Sequence, residues 1–463
     1  MLEQNYLSGT TAVNIAGSVE SALAGGKLAA GDALPTVRAL SQHLRVSGAT
    51  VAAAFRILQE RGVIVSDGRR GTRVRPAPPL VLPFEHAVPE GVYNLVDGNP
   101  DVRLLPDLRK RRSPLAQRLY GDELNDPALL ALAREQFRDD NIPADHVAIV
   151  SGALDGLERV LREHLRSGDR VAVEDPGFTG VLDLLHALAL IAVPVTVDDE
   201  GLLPSELKRA LRSCKTLIAT PRAQNPTGAA FSARRARELR ALLAARPDVL
   251  VIEDDHAGVI AGAEYRTLVA EPVERRPLRP PTSREKPAAE SGRRSTLRAR
   301  EKWAVVRSVS KSFGPDLRVA FLASDAQTHA RVEGRQTLGI RWVSHILQRT
   351  VAMIWRDRAP LRAQRVYAER RNALLRELSA RGIDAHGVSG LNVWIPVAEE
   401  IATVQELAKK GWGVKAGERY RIATPPAIRV TISTLEPRDA ALFARDLAEI
   451  VRPQAGRAFT RPT

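Results

Sequence analysis

The feature that most constrains this chain is a recurrence of short, mostly apolar runs between stretches of helical periodicity. From about residue 93 the runs are Val147–Val150, Arg170–Val173, Leu217–Ala219, Val249–Ile252 and Val305–Val309, and a helix opens at Ala153 directly after the first. Runs this short, bounded by turn residues, read as buried strands. Strands that alternate with helices build a mostly parallel sheet covered on its faces, so residues 93–463 read as an α/β unit. Glu271–Lys302, rich in Pro, Arg, Ser and Glu and without hydrophobic periodicity, reads as a basic surface insertion.

The first 75 residues follow a different pattern. Val13, Ala16, Val19, Ala22 and Leu23 recur at helical spacing, and Gly25-Gly26 ends that helix. Thr36 can cap a second helix with Val37, Leu40 and Leu44 as its stripe. Ser47 can cap a third with Val51, Ala54, Phe55 and Leu58. Val63–Val65, a turn at Asp67-Gly68, and Thr72–Val74 read as a hairpin. Three helices and a hairpin are the layout of a winged helix-turn-helix. Prolines 76, 78, 79, 83 and 89 make 76–92 a stiff linker.

Composition narrows the class. With 44% hydrophobic and 26% charged residues the chain can build cores. A single cysteine, Cys214, rules out an internal disulfide, and no Cys/His cluster has zinc spacing. No stretch is long and apolar enough to span a bilayer, and Met1–Gly9 lacks the pattern of a secretory signal, so a cytoplasmic protein is expected. The net charge of +14 is concentrated in the head and in 271–302, and a basic small head points to nucleic acid.

Leu34-Pro35-Thr36-Val37-Arg38-Ala39-Leu40, then Leu44-Arg45-Val46-Ser47-Gly48-Ala49-Thr50-Val51, resembles the GntR-type winged-helix regulators. The resemblance implies double-stranded operator DNA as partner. Arg38, Ser47 and Thr50 would make DNA contacts, and Arg69, Arg70 and Gly71 would place a wing on the backbone or in the minor groove. The physics agrees: the first turn of a recognition helix enters the major groove, and its amides attract phosphate. The family usually has arginine after the serine. That arginine often reads a guanine bidentately, a contact worth about 1–3 kcal/mol; Gly48 stands in its place, so the resemblance implies altered specificity or weakened binding.

In the long unit, Ser308-Val309-Ser310-Lys311-Ser312-Phe313-Gly314 followed by Leu317-Arg318 resembles the lysine region of fold-type I aminotransferases. Asn225-Pro226-Thr227-Gly228, Glu253-Asp254-Asp255-His256, Ser151-Gly152-Ala153 and the Arg429 segment fit the same family in order and spacing. The resemblance implies a mostly parallel sheet with a smaller C-terminal subdomain from about residue 330, and pyridoxal 5′-phosphate (PLP) as cofactor. Lys311 would form the Schiff base, which needs an amine whose proton is weakly held. Asp254 would face the pyridine nitrogen. The phosphate would sit on the amides of Ser151, Gly152 and Ala153 with Ser308, Ser310 and Arg318. Asn225 would bond the ring hydroxyl oxygen, Phe178 would cover the ring, and Tyr120 would reach the phosphate of a neighbouring subunit. Arg429 would grip a ligand carboxylate, with Arg222 lining the substrate side. His256 replaces a tyrosine of better-known members.

Head and long unit together resemble the MocR-type regulators. That implies a homodimeric, PLP-dependent transcriptional regulator sensing PLP, an amino-acid or amine effector, or both. A working aminotransferase with a secondary DNA-binding head is the alternative, since the residues for transamination are present.

Overall fold

A computed structural model describes residues 7–25, 27–29, 31–60, 63–66, 71–74, 91–108, 118–270, 299–355 and 359–457. Arg69 and Arg70, nearly all of the 76–92 linker and residues 271–298 of the insertion lie outside the described residues.

The head has helices α1 (Ala12–Ala24), α2 (Val37–Leu44) and α3 (Gly48–Glu60), then strands β1 (Ile64–Ser66) and β2 (Thr72–Val74). The strands pair antiparallel with Val65 opposite Arg73, and Ala33 bridges Arg73 to extend the wing. Thr36 caps α2 by accepting from the Ala39 amide at 3.2 Å, as its sequence predicts. Ile15, Ala16, Val19, Leu40, Val51, Ala54, Phe55, Leu58, Ile64 and Val74 share one core. The predicted stripe of α1 needs correction: Val13 is 60% exposed and Ile15 is fully buried. Positions three apart fall back about 60° per step, so Val13 ends up opposite Ala22, whereas Ile15, Ala16, Val19 and Ala22 stay on one side.

The long unit runs β3 (Tyr93–Asn94), α4 (Pro127–Asp139), β4 (Val147–Val150), α5 (Ala153–His164), β5 (Arg170–Asp175), α6 (Thr179–Ala187), β6 (Ile191–Asp198), β7 (Gly201–Leu202), α7 (Pro204–Ala210), β8 (Thr216–Ala219), α8 (Ala233–Ala244) and β9 (Leu250–Asp255). It continues with β10 (Trp303–Ser308), α9 (Ser310–Phe313), β11 (Ala320–Ser324), α10 (Ala326–Leu338), α11 (His345–Ile354) and α12 (Ala359–Ser379). The last elements are β12 (Asn392–Pro396), α13 (Glu400–Lys409), β13 (Trp412–Gly413), β14 (Lys415–Ala416), β15 (Ala427–Thr431) and α14 (Pro437–Arg457).

Eight strands form the main sheet in the order β4-β11-β10-β9-β8-β5-β6-β7. β5, β8, β9 and β10 are parallel, while β11 runs antiparallel to both β10 and β4. Strands β8 and β9 are buried along their whole length, which is why they read as continuous apolar runs. β4, β5, β8, β9 and β10 therefore end at one edge, where ligands of open α/β sheets bind. A second core holds Val393, Ile395, Ile428, Val430, Phe443 and Leu95, around a three-stranded sheet β12-β15-β14. Its residues begin at Ala363 on the C-terminal side. Val343, Val351 and Ile354, which the sequence places in the smaller subdomain, belong to the core of the main sheet.

Candidate cofactor and ligand site

The turns that follow these strands bring most of the predicted residues together. Ser308 closes β10, and its Oγ accepts from the Ser310 amide at 3.1 Å, turning the chain into α9. Lys311 lies on that short helix. Its Nζ donates to the Gly98 carbonyl at 2.6 Å. Ser312 Oγ donates to the Ala257 carbonyl at 3.3 Å, tying the lysine helix to the turn after His256.

The Val96–Gly98 turn also receives Arg429. That guanidinium donates to the Val96 carbonyl and to Asn225 Oδ1 (3.2 Å), and lies 4.9 Å above the Tyr420 ring. Gly98 has φ +66°, and a Cβ there would meet Arg429 Nη1 at 3.5 Å. Lys311 and Arg429 thus converge on one turn, with Asn225 accepting from Arg429 beside it; the sequence reading missed that turn. Its visible signal is the turn sequence Asp97-Gly98-Asn99-Pro100.

Asp254 and Asp255 are adjacent on β9 and have opposite fates. Successive strand side chains point to opposite faces. Asp255 accepts from Arg222 (Nε 3.0 Å, Nη2 2.9 Å) and from Arg307 Nε at 2.6 Å. Burial works against its charge, but the two guanidiniums hold the carboxyl well below the usual range. Arg222 and Arg307 also lie over the Tyr265 ring, each 5.0 Å from its centroid. This corrects the expectation for Arg222: it is a counter-ion on the Asp255 face and does not line the substrate side.

Asp254 is 3% exposed, and its Oδ1 has no hydrogen-bond partner among the described residues. Burial, then repulsion from Asp255 and Glu174, pushes its carboxyl up to about 7. Glu174, at the end of β5, is also lifted to about 7 by burial, although Thr220 and Gln224 donate to it. Burial and the Lys311 ammonium hold His256 down at about 4, so its imidazole is neutral at pH 7.

At the β4–α5 turn, Arg318 Nη2 donates to the Ser151 carbonyl at 3.2 Å. Arg318 has a left-handed backbone (φ +46°). Gly152 (φ +105°) has room for the guanidinium only because it lacks a Cβ; a methyl there would overlap Nη2 and lie 3.0 Å from Cζ. The Ser151 amide donates to Asp155 Oδ2 at 2.9 Å, so the expectation that it serves a phosphate is corrected and the free amides begin at Gly152. Phe178 follows β5, and its ring sits so close to Gly180 that a Cβ there would come within 2.7 Å of Cε1. Leu154, at the start of α5, reaches the same point.

Two groups of predicted residues stand elsewhere. Tyr120 is 81% exposed, with Trp342 (5.7 Å) and Arg341 (4.9 Å) as its ring contacts. In the head, Ser47 caps α3: its Oγ accepts from the Thr50 amide at 3.1 Å and lies 2.8 Å from Thr50 Oγ1. Arg38, Ser47 and Gly48 are exposed, as is Gly71 (φ +86°) in the wing.

The residues present fit PLP, the cofactor that the resemblance implies. Asp254 Oδ1, buried and without a partner, suits a protonated pyridine nitrogen. The Gly152–Arg318 cradle at the start of α5 suits a phosphate dianion. Lys311 supplies the amine.

Residues 120–447 match the family "Aminotransferase class I and II", and residues 11–74 match "Bacterial regulatory proteins, gntR family". The chain is 38% identical over 451 residues to the vitamin B6 salvage pathway transcriptional repressor PtsJ of Salmonella typhimurium, covering 95% of this chain and 98% of that protein. It is 27% identical over 416 residues to the HTH-type transcriptional regulator TauR of Rhodobacter capsulatus, 80% of each chain. Among solved structures it resembles the alpha-aminoadipate aminotransferase LysN of Thermus thermophilus (TM-score 0.63, 17% identity, 80% of this chain and 94% of that one). It also resembles the kynurenine aminotransferase of Pyrococcus horikoshii (TM-score 0.65, 18% identity, 79% and 91%). At such identities these two share the fold. Matched in both domains and along nearly its whole length, the chain belongs to the MocR-type DNA-binding transcriptional regulators, in which a GntR winged helix precedes a class I and II aminotransferase domain.

Proposed function

We propose that this protein is a cytoplasmic, homodimeric regulator whose operator affinity is set by PLP on Lys311 and by an amino-acid or amine effector that competes with that lysine. The observation that carries the reading is Asp254 Oδ1, buried and without a hydrogen-bond partner among the described residues, in a site where Lys311 and Arg429 meet at one turn. When bound, PLP supplies an electrophilic carbonyl for which amines compete. Asp254 would hold the ring nitrogen's proton. Gly152, Ala153 and Arg318, with Ser308 and Ser310, would take the phosphate. Asn225 would accept from or donate to the ring oxygen and would also orient Arg429, whose guanidinium would grip an effector carboxylate. Neutral His256 leaves the lysine amine without an added positive neighbour. Arg38, Ser47, Thr50 and Gly71 would face DNA. The repressor named for vitamin B6 salvage, so similar over its full length, supports genes of vitamin B6 metabolism as targets.

The test is fluorescence anisotropy on DNA from upstream of the protein's own gene, against an unrelated duplex at one fixed salt, with and without PLP. Preference for the upstream DNA that changes with PLP is the expected result. By reciprocity, DNA must then change PLP affinity by the same factor. Lys311→Ala should lose the visible absorption of bound PLP, lose the PLP response and keep basal DNA binding. DNA affinity indifferent to PLP and to every amino acid tried would overturn the reading.

A further inference from the structure

The Asp175-Pro176-Gly177-Phe178 turn contributes more than an aromatic ring. Asp175 is 1% exposed, and its carboxylate is fully used by one segment of the smaller subdomain. Oδ1 accepts from the Ile422 amide at 2.8 Å and from Thr424 Oγ1 at 3.1 Å. Oδ2 accepts from the amides of Ala423 (2.8 Å) and Thr424 (3.1 Å). Two residues on, the Gly177 amide donates to the Tyr420 carbonyl at 2.7 Å.

The other side of that segment is fixed within its own subdomain. Glu400 Oε1 accepts from Arg421 Nε (2.8 Å) and from the Ala427 amide (2.9 Å). At the start of that segment Tyr420 is 3% exposed, edge-on to Trp394 and beneath the Arg429 guanidinium. The turn that carries Phe178 is thereby bound to the loop that supports Arg429.

We propose that Asp175 is a positioning residue for the carboxylate clamp: by holding residues 420–424 against the Phe178 turn it fixes Tyr420, and through Tyr420 the plane of Arg429. The proposal rests on the reading of Arg429 given above. The geometry requires an aspartate. Three consecutive backbone amides and a hydroxyl need two charged acceptor oxygens on a short arm, and charge-assisted bonds of this kind are the strong ones. Asparagine offers one acceptor. Its better orientation places the amide nitrogen at the Oδ1 position, where the Thr424 hydroxyl can reverse and accept but the Ile422 amide loses its partner.

The test uses the PLP-loaded protein. Standard L-amino acids are titrated while the visible absorption of the cofactor is followed. For each responder, the amine of the same side chain lacking the carboxylate is titrated as well. Asp175→Asn should weaken amino-acid binding by about ten-fold, the loss expected for one charge-assisted bond. The matched amine and PLP itself should shift by less than about two-fold on the same scale. Adding Thr424→Val should deepen the loss, because the hydroxyl can no longer reverse. Thr424→Val alone keeps the carboxylate and the fold; it should still show a small loss confined to carboxylate ligands. Equal losses for amino acid and amine, or no loss, would overturn the positioning role. A wild-type protein that answers no amino acid would instead overturn the reading of Arg429, and this proposal with it.

Discussion

Asp254→Asn should stabilise the PLP-free protein while weakening its hold on PLP. Burial, with Asp255 and Glu174 nearby, raises the Asp254 carboxyl from 3.8 to about 7, and no donor among the described residues compensates Oδ1. Between those two values the folded state binds more protons than the unfolded one. Stability from this group is therefore complete below about pH 4 and falls as pH rises towards 7. A shift of that size corresponds to about 4 kcal/mol at most. Asparagine removes the charge at nearly constant volume but leaves an amide with few partners, so a net gain of about 1–3 kcal/mol at pH 8 is expected. All five tryptophans (Trp303, Trp342, Trp355, Trp394 and Trp412) lie outside the head, so urea unfolding followed by their fluorescence reports this domain alone. Glu174, lifted to about 7 by burial, adds a slope in the same pH window to both proteins, and the difference between them isolates Asp254. The gain should be present at pH 8, absent at pH 4 and reversed by saturating PLP, which stabilises the wild type by mass action. A variant no more stable than wild type at pH 8, or equally stabilised at both pH values, would refute the argument.

Three further outcomes follow from single positions. Gly152→Ala forces a side chain to φ +105° and into Arg318, so PLP affinity by spectral titration should fall at least ten-fold, with about 1–3 kcal/mol of stability lost. Gly48 is not required by its surroundings, since a Cβ there meets only Val37 Cγ1 at 3.9 Å. Gly48→Arg should leave the melting temperature unchanged or slightly raised. It should also tighten DNA binding with a steeper salt dependence, read by anisotropy across a salt series. Ile15→Ala should cost the head about 2–5 kcal/mol in a thermal melt, while Val13→Ala should stay within about 0.5 kcal/mol, a contrast that tests the corrected face of α1.

The fold was legible wherever one physical signal dominated. Buried parallel strands such as Leu217–Ala219 and Val249–Ile252 stand out because both of their faces are apolar. Thr36 and Ser47 were readable because a cap is a local contract between a side chain and an amide three residues on. What escaped depends on tertiary placement. The stripe of α1 was misread because residues at steps of three drift around a helix. The role of Asp175 was invisible because its partners, residues 422–424, lie more than 240 positions away. The Ser151 amide looked available because nothing in Ser-Gly-Ala says that Asp155 turns back to take it.

The Glu253-Asp254-Asp255-His256 run shows how a site can hide in plain charge. Read as composition, it is an acidic surface patch. Read with the two-residue period of a strand, it divides into two sets. Glu253 and Asp255 face Tyr265, Thr267, Arg222 and Arg307, where every carboxylate oxygen has a donor. Asp254 faces the other way, where its Oδ1 has none among the described residues, and His256, just past the strand, feels the Lys311 charge. Arg222 could not serve both faces. Once Asp255 is a buried anion it needs its guanidiniums, because an unpaired buried charge costs several kcal/mol. The donors are spent on one face, and the carboxyl on the other keeps an unsatisfied oxygen. That carboxyl is unsatisfied where the fold's cofactor would bring a cation.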